Sequence, residues 1–185
     1  YSLQANFKLK PVGVPLVSTH AARSIGSTRV VLAACLVEED GIEGCECRFR
    51  YWKAGEDQNL KYSNWQLGKA SGQIFTAPAN NLEPGTVYYF EAVVRNSAGT
   101  NIGNRRKFST LARLTISSSP GGKVLQPDEG IFEVAPGETI QIYAESQEHY
   151  DFDEWTGSLV DTGKLADPQD PNTSLIVDGV GTLKA

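Results

Sequence analysis

Few residues of this chain have types and spacings that could do chemistry, and each group falls short of what its chemistry requires. Leu159-Val160-Asp161-Thr162-Gly163 has two apolar residues ahead of Asp-Thr-Gly, a pattern that can place a catalytic aspartate on a tight loop. Such a site needs two carboxylates sharing one proton, hence two loops or a symmetric pair. One copy exists, followed by Lys164 in a loop rich in Pro and Asp, so a turn is expected. Asp151, Asp153 and Glu154 form an acidic group, but lack the Asp-x-Asp-x-Asp-Gly order of a calcium loop. Paired-carboxylate hydrolysis would need a cleft that nothing in the pattern predicts. Solvated surface acids are expected there.

The thiols and imidazoles are equally sparse. Cys35, Cys45 and Cys47 lie in one short stretch, and His20 and His149 lie far apart. Cys45-x-Cys47 is not the C-x₂-C spacing of a zinc site, and no second pair completes one. The expectation is one local disulfide, Cys35–Cys45, closing a loop, with Cys47 buried. An oxidising, extracytoplasmic setting fits that. No catalytic residue, metal ligand or cofactor is assigned.

Three further groups have plain surface readings. Arg105-Arg106-Lys107 reads as a solvated basic edge that discourages sheet-to-sheet pairing. Asn172-Thr173-Ser174 fits a glycosylation acceptor, although a loop explains it as well. Tyr62, Trp65 and Tyr89 could stack on sugar rings, but at strand positions they read as core or sheet-face packing.

The elements that carry these residues are strands. Val30, Leu32, Ala34 and Leu36 alternate. So do Cys47, Phe49 and Tyr51, with Arg48 and Arg50 pointing the other way, and then Tyr88, Phe90, Ala92 and Val94. Glu39-Asp40-Gly41, Pro84-Gly85 and Ser97-Ala98-Gly99 supply turns between them. The later part is patterned in the same way. Leu114 and Ile116 precede Pro120-Gly121-Gly122, Phe132 and Val134 precede Pro136-Gly137, and Ile140, Ile142 and Ala144 alternate. The pattern predicts an all-β chain built as a sandwich. A boundary is expected near Leu111–Arg113 with almost no linker, which implies a stiff joint.

Bulk composition limits the function. The 185 residues include 17 Lys+Arg against 22 Asp+Glu, a formal net charge of −5, with 40% hydrophobic and 21% charged residues. That excludes a disordered chain and argues against nonspecific nucleic-acid or anionic-membrane binding. No apolar run approaches the ~18 residues that would span a bilayer as a helix. Met is absent, at position 1 included, so a mature product or a segment of something longer is expected.

Residues 11–111 resemble a fibronectin type III domain. The match rests on Leu82-Glu83-Pro84-Gly85-Thr86-Val87-Tyr88-Tyr89-Phe90, Asn96-Ser97-Ala98-Gly99 and Phe108-Ser109-Thr110. The resemblance implies a tyrosine corner, with the Tyr88 hydroxyl on nearby backbone and its ring in the core. Cys45 to Trp52 looks like the third strand of a prokaryotic variety of the domain. The family often has a Trp on its second strand. Here that strand is small and aliphatic, so Trp52 or Trp65 is expected to supply the bulk.

Residues 112–185 are similar to a bacterial repeat domain, the divergent internalin-type B-repeat. The residues are Leu114-Thr115-Ile116, Pro120-Gly121-Gly122, Pro136-Gly137-Glu138-Thr139 and Tyr150-Asp151-Phe152-Asp153-Glu154-Trp155-Thr156-Gly157. The family usually has Gly where this chain has His149. Phe152 and Trp155 are expected to anchor the core, each burial contributing about 2–3 kcal/mol. The resemblance implies a mostly β module of a bacterial surface or secreted protein, used as a stalk or adhesive unit.

That family closes with a Leu-x-Ala-Asn-Phe-like strand. This chain has Thr182-Leu183-Lys184-Ala185 at one end and Leu3-Gln4-Ala5-Asn6-Phe7 at the other. Residues 1–10 therefore read either as the last strand of a preceding repeat or as a donor strand. A donor strand would insert Leu3, Ala5 and Phe7 into the second domain of a neighbouring copy. The expected function is that of a non-catalytic structural module of a prokaryotic surface fibre, sheath or stalk. Its expected partners are copies of itself or neighbouring repeats, in an extracellular or cell-surface location. The alternative is an adhesive or carbohydrate-binding accessory module with a glycan or surface ligand.

Overall fold

The period-2 runs form strands throughout. The computed structural model describes residue 8 and residues 11–40 and 44–185. The expected donor residues Leu3, Ala5 and Phe7 lie outside the described residues. Strands β1 (Leu16–Thr19), β2 (Arg29–Glu38) and β6 (Ile74–Asn80) form one sheet in the order β1-β2-β6. Facing it is a sheet centred on β3 (Cys45–Lys53) and β7 (Val87–Asn96). There β3 also pairs β4 (Lys61–Tyr62) and β5 (Gln66–Lys69), and β7 pairs β8 (Gly99–Ile102) and β9 (Arg106–Ser109). This is a fibronectin type III-like β-sandwich.

Register sets which side chains enter its core. Leu32 opposes Ala77 and Ala34 opposes Phe75 across β2 and β6, while Phe49 opposes Ala92 and Tyr51 opposes Phe90 across β3 and β7. The inward positions Val30, Leu32, Ala34, Leu36, Cys47, Phe49, Phe75, Phe90, Ala92 and Val94 are all buried. Aromatic rings fill the space that a small, aliphatic β2 leaves. Phe49 lies 5.0 Å from Phe75 between ring centroids, and Phe90 lies 5.8 Å from Phe108. Neither Trp52 nor Trp65 supplies that bulk, contrary to expectation. Trp52 follows Tyr51 in β3 and so projects from the other face of the sheet.

The turn before β7 is held by its own tyrosine. Tyr88 is buried, and its hydroxyl accepts a hydrogen bond from the Glu83 N–H at 3.0 Å. Gly85 takes a φ of 61° within this turn, a conformation that glycine adopts without strain. Thr19 stitches the two sheets together: it is buried, and its Oγ1 accepts from the Ala92 N–H at 3.1 Å.

The strands after Leu111 build a separate core. Strands β10 (Ala112–Ser117), β12 (Gly130–Val134) and β15 (Val180–Lys184) form a sheet in the order β12-β10-β15, in which β10 and β15 run parallel. Strands β11 (Gly122–Gln126), β13 (Glu138–Ser146) and β14 (Asn172–Val177) form its partner, in the order β11-β13-β14. Leu114, Ile142, Trp155, Leu175 and Leu183 are fully buried between them. Phe152 is half-buried against this cluster, 5.6 Å from Trp155 between ring centroids. The Trp155 indole N–H donates to the Asp170 carbonyl at 3.0 Å, so the buried ring leaves no unpaired donor.

The expected Cys35–Cys45 disulfide is not formed, and all three thiols are free. The reason is parity. Leu36 points into the core, so its neighbour Cys35 points out of it, whereas Cys45 and Cys47 are both core residues of β3.

Replacing Tyr88 by Phe removes the acceptor for the Glu83 N–H and keeps the ring. We expect a loss of about 1 kcal/mol of stability, read from urea denaturation, with the denaturant slope unchanged.

Candidate functional site

The outward positions of β3 and β7 are occupied by charged and aromatic residues rather than a neutral polar surface. The register places Glu46 opposite Arg95, Arg50 opposite Glu91 and Trp52 opposite Tyr89. Arg50 pairs with Glu91 at 2.5 Å, and Arg95 with Glu46 at 2.5 Å. Arg105, in the loop before β9, reaches Glu91 at 3.3 Å and lies 4.9 Å from the Trp52 ring centroid. Arg48 stands 4.1 Å from the Tyr62 ring and 4.2 Å from Trp65, and Arg95 stands 4.2 Å from Trp65. Each such contact contributes about 0.5–1 kcal/mol at a partly exposed site.

This arrangement packs the aromatic residues named above as candidate sugar platforms against the sheet face. Tyr62, Trp65 and Tyr89 all have a guanidinium against the ring. They clamp the β4–β5 segment and the loop before β9 onto the sheet. The Arg48 Nε is buried without a hydrogen-bond partner, so its ring contacts must offset that cost. Arg105-Arg106-Lys107 is more than a solvated edge. Arg105 takes part in the face, and the Arg106 Nε donates to the Thr19 carbonyl at 3.2 Å. Lys107 is exposed, opposite Tyr89.

The other motifs are dispersed. Leu159 to Gly163 forms turns, closed by the Gly163 N–H donating to Val160 O at 3.0 Å and the Thr162 hydroxyl donating to Leu159 O at 2.7 Å. Asp161 is exposed there. Asn172 opens β14, and Thr173 is buried with its hydroxyl accepting from the Asp167 N–H at 3.0 Å. Asp151, Asp153 and Glu154 are exposed along a groove of about 250 Å³ that also touches Gly121, Glu145, Tyr150 and Lys184. Among the described residues no group of His, Cys, Asp or Glu could hold a metal ion.

Burial controls the thiols. It pushes the Cys47 thiol up to about 11, with neighbouring Cys45 adding to the shift and Lys69 opposing it. Burial also raises Cys45, aided by Glu39. Both stay protonated at neutral pH and are poor nucleophiles.

Two points of contact fix the joint between the sandwiches. The Glu133 carboxylate on β12 accepts from the Ser27 N–H at 3.1 Å and from the Ser27 hydroxyl. Gly85 meets the backbone of Asp178 and Gly179 so closely that a methyl group there would collide with it. Between them Leu111 donates its N–H to Gly26 O at 3.1 Å and accepts from the Gly85 N–H at 2.9 Å. The Ser27 hydroxyl, then its N–H, hold the Glu133 carboxyl below the usual carboxylate range, with Arg29 and Arg113 assisting. Glu133 and Ser27 lie 106 positions apart, and nothing in the sequence pairs them.

No family model matches the chain, and no curated protein matches it. Solved structures resemble about half of it. The sensor domain of the anti-sigma factor RsgI4 of Pseudobacteroides cellulosolvens is 22% identical, with a TM-score of 0.48, over 55% of this chain and 99% of that one. Domains FN1–FN3 of chicken CNTN1 align at 20% identity and a TM-score of 0.40, over 54% of this chain and 32% of that one. The fibronectin type III domain of human fibronectin type III domain containing protein 3 aligns at 16% identity and a TM-score of 0.39, over 56% of this chain and 92% of that one.

Two measurements check these environments. Iodoacetamide at pH 8 should alkylate Cys35 in the folded protein and spare Cys45 and Cys47 until denaturant is added, as read by peptide mass spectrometry. Because folding lowers the Glu133 carboxyl, its contribution is present above the ordinary carboxylate range and lost as pH falls through the lowered value. Small-angle scattering should therefore show the joint loosening in acid, and Glu133→Gln should show the looser profile already at pH 7.

Proposed function

We propose that this chain is a non-catalytic structural module of a prokaryotic surface fibre, sheath or stalk, working outside the cell. The observation that carries this reading is the pair of hydrophobic cores joined without slack. Only Thr110 and Leu111 separate β9 from β10, both are tied by hydrogen bonds to the first sandwich, and Ser27 and Gly85 of that sandwich meet Glu133 and Asp178–Gly179 of the second. Such a unit keeps a fixed length and direction, as an element that carries load must. Its second half is read as a member of the bacterial repeat family it resembles.

Copies associate head to tail by strand addition in this reading, with Leu3, Ala5 and Phe7 of one copy entering the second sandwich of the next. The outer edge of β12 suits the purpose. No strand pairs with it among the described residues. The free side of β15 is covered by Thr156 and Leu159, and that of β14 by Lys164 and Ala166. An exposed edge of this kind is a template for a further strand. The alternative, a carbohydrate-binding or adhesive module, draws its support from Tyr150, a residue 56% exposed beside the acidic groove.

Sedimentation separates the readings. The full chain should form concentration-dependent oligomers, and removing residues 1–7 should weaken association at least about tenfold, the order of 1.4 kcal/mol per decade. Oligomers that persist unchanged after that deletion eliminate strand addition. A chain that stays monomeric and binds a glycan array supports the alternative.

A further inference from the structure

The chain's charge is unevenly distributed. The outward face of the β3–β7 sheet and its flanking loops carry Arg48, Arg50, Arg95, Arg105 and Lys107 against three carboxylates, Glu46, Glu91 and Asp57. That face is cationic on a chain whose net charge is −5. Arg105 is 54% exposed, and Lys107 has no ion-pair partner among the described residues. The second sandwich has the opposite bias. Glu145, Asp151, Asp153 and Glu154 line its groove with Lys184, Lys123 stands opposite Glu145 across β11 and β13, and none of these four carboxylates makes an ion pair or side-chain hydrogen bond among the described residues. The exposed ring of Tyr150 lies against Gly121, where a side chain would exclude it.

Unpaired like charges around one groove repel each other, and a cationic occupant relieves the repulsion. The same carboxylates do not group closely enough to hold a metal ion, so an extended cationic surface fits better than a point cation. This chain carries one.

We infer that the acidic groove of one copy receives the Arg105–Lys107 side of the cationic face of the next. The inference rests on the self-association reading above and names the surfaces that orient it. The two surfaces belong to different sandwiches of one stiff unit, so the contact is heterologous and repeats along a row of copies. Complementary charge of this kind sets register and suppresses wrong pairings.

Charge reversal tests it by sedimentation, with circular dichroism confirming that each variant is folded. Arg105→Glu/Lys107→Glu and Asp151→Lys/Asp153→Lys should each associate at least about tenfold more weakly than the unaltered chain. An equimolar mixture of the two should recover association, because each reversed surface then meets its complement. Lys107→Glu alone, which disturbs no contact of Trp52 or Glu91, should show a smaller loss in the same direction. Unaltered association should weaken about tenfold between low and high salt. If the chain associates but neither reversal affects it, or the mixture does not recover, this inference fails and self-association stands. Loss of association in EDTA would replace it with a metal-bridged contact. A chain that is monomeric at every concentration overturns both.

Discussion

Between Ser109, the last residue of β9, and Ala112, the first of β10, stand only Thr110 and Leu111. Neither is free to turn. Thr110 is fully buried, its hydroxyl donating to Glu83 O at 2.6 Å and accepting from the Thr86 N–H at 2.9 Å. Leu111 is bonded at both its N–H and its carbonyl. A flexible linker would let the two sandwiches sample many orientations, and ordering each residue costs about 1–2 kcal/mol. Here hydrogen bonds local to the corner hold both residues to the first sandwich, so little free chain is left to order. The Glu133–Ser27 contact and the close approach at Gly85 therefore form between parts already held near each other.

The same economy governs the outer face of the first sandwich. A strand centred in a sheet must bury one side and can leave the other wet. In this protein the wet side is organised by guanidinium groups that pair with carboxylates and lie against aromatic rings. Trp52 is buried there under Tyr89 and Arg105, with its indole N–H donating to Asp57 at 2.7 Å. The result is a second packed layer outside the core. It stiffens the sheet and keeps the loop before β9 in place, while still presenting a cationic surface.

Much of this is legible in the residues, including parts that a reading by composition overlooks. Alternation in Val30, Leu32, Ala34 and Leu36 marks β2 and also decides the position of Cys35: an odd residue among even core positions faces outward. Spacing along the chain suggests a disulfide, while parity within the strand turns Cys35 away from the core that holds Cys45. The same parity puts Trp52 on the face opposite Tyr51 and out of the core, leaving Phe75 on β6, the strand paired with β2, to help fill the space. What alternation cannot supply is partnership across large sequence separations. The parallel pairing of β10 with β15, which carries Leu183 into the core, and the meeting of Ser27 with Glu133 depend on tertiary geometry. Local pattern encodes neither.

The acidic segment after β13 shows how a local pattern can be right in chemistry and incomplete in consequence. Asp151, Asp153 and Glu154 are solvated, as their composition implies, while Phe152 among them and Trp155 just after them turn inward. Anchoring the two rings is what forces the intervening carboxylates to project together at one groove rather than spread over the surface. Burial of Trp155 contributes about 2–3 kcal/mol, more than the repulsion between exposed carboxylates in water at such spacing. The core therefore decides the geometry, and the charge accumulates as a by-product. An accumulated charge of one sign on one sandwich, with its opposite on the other, gives a stiff module a polarity along its length.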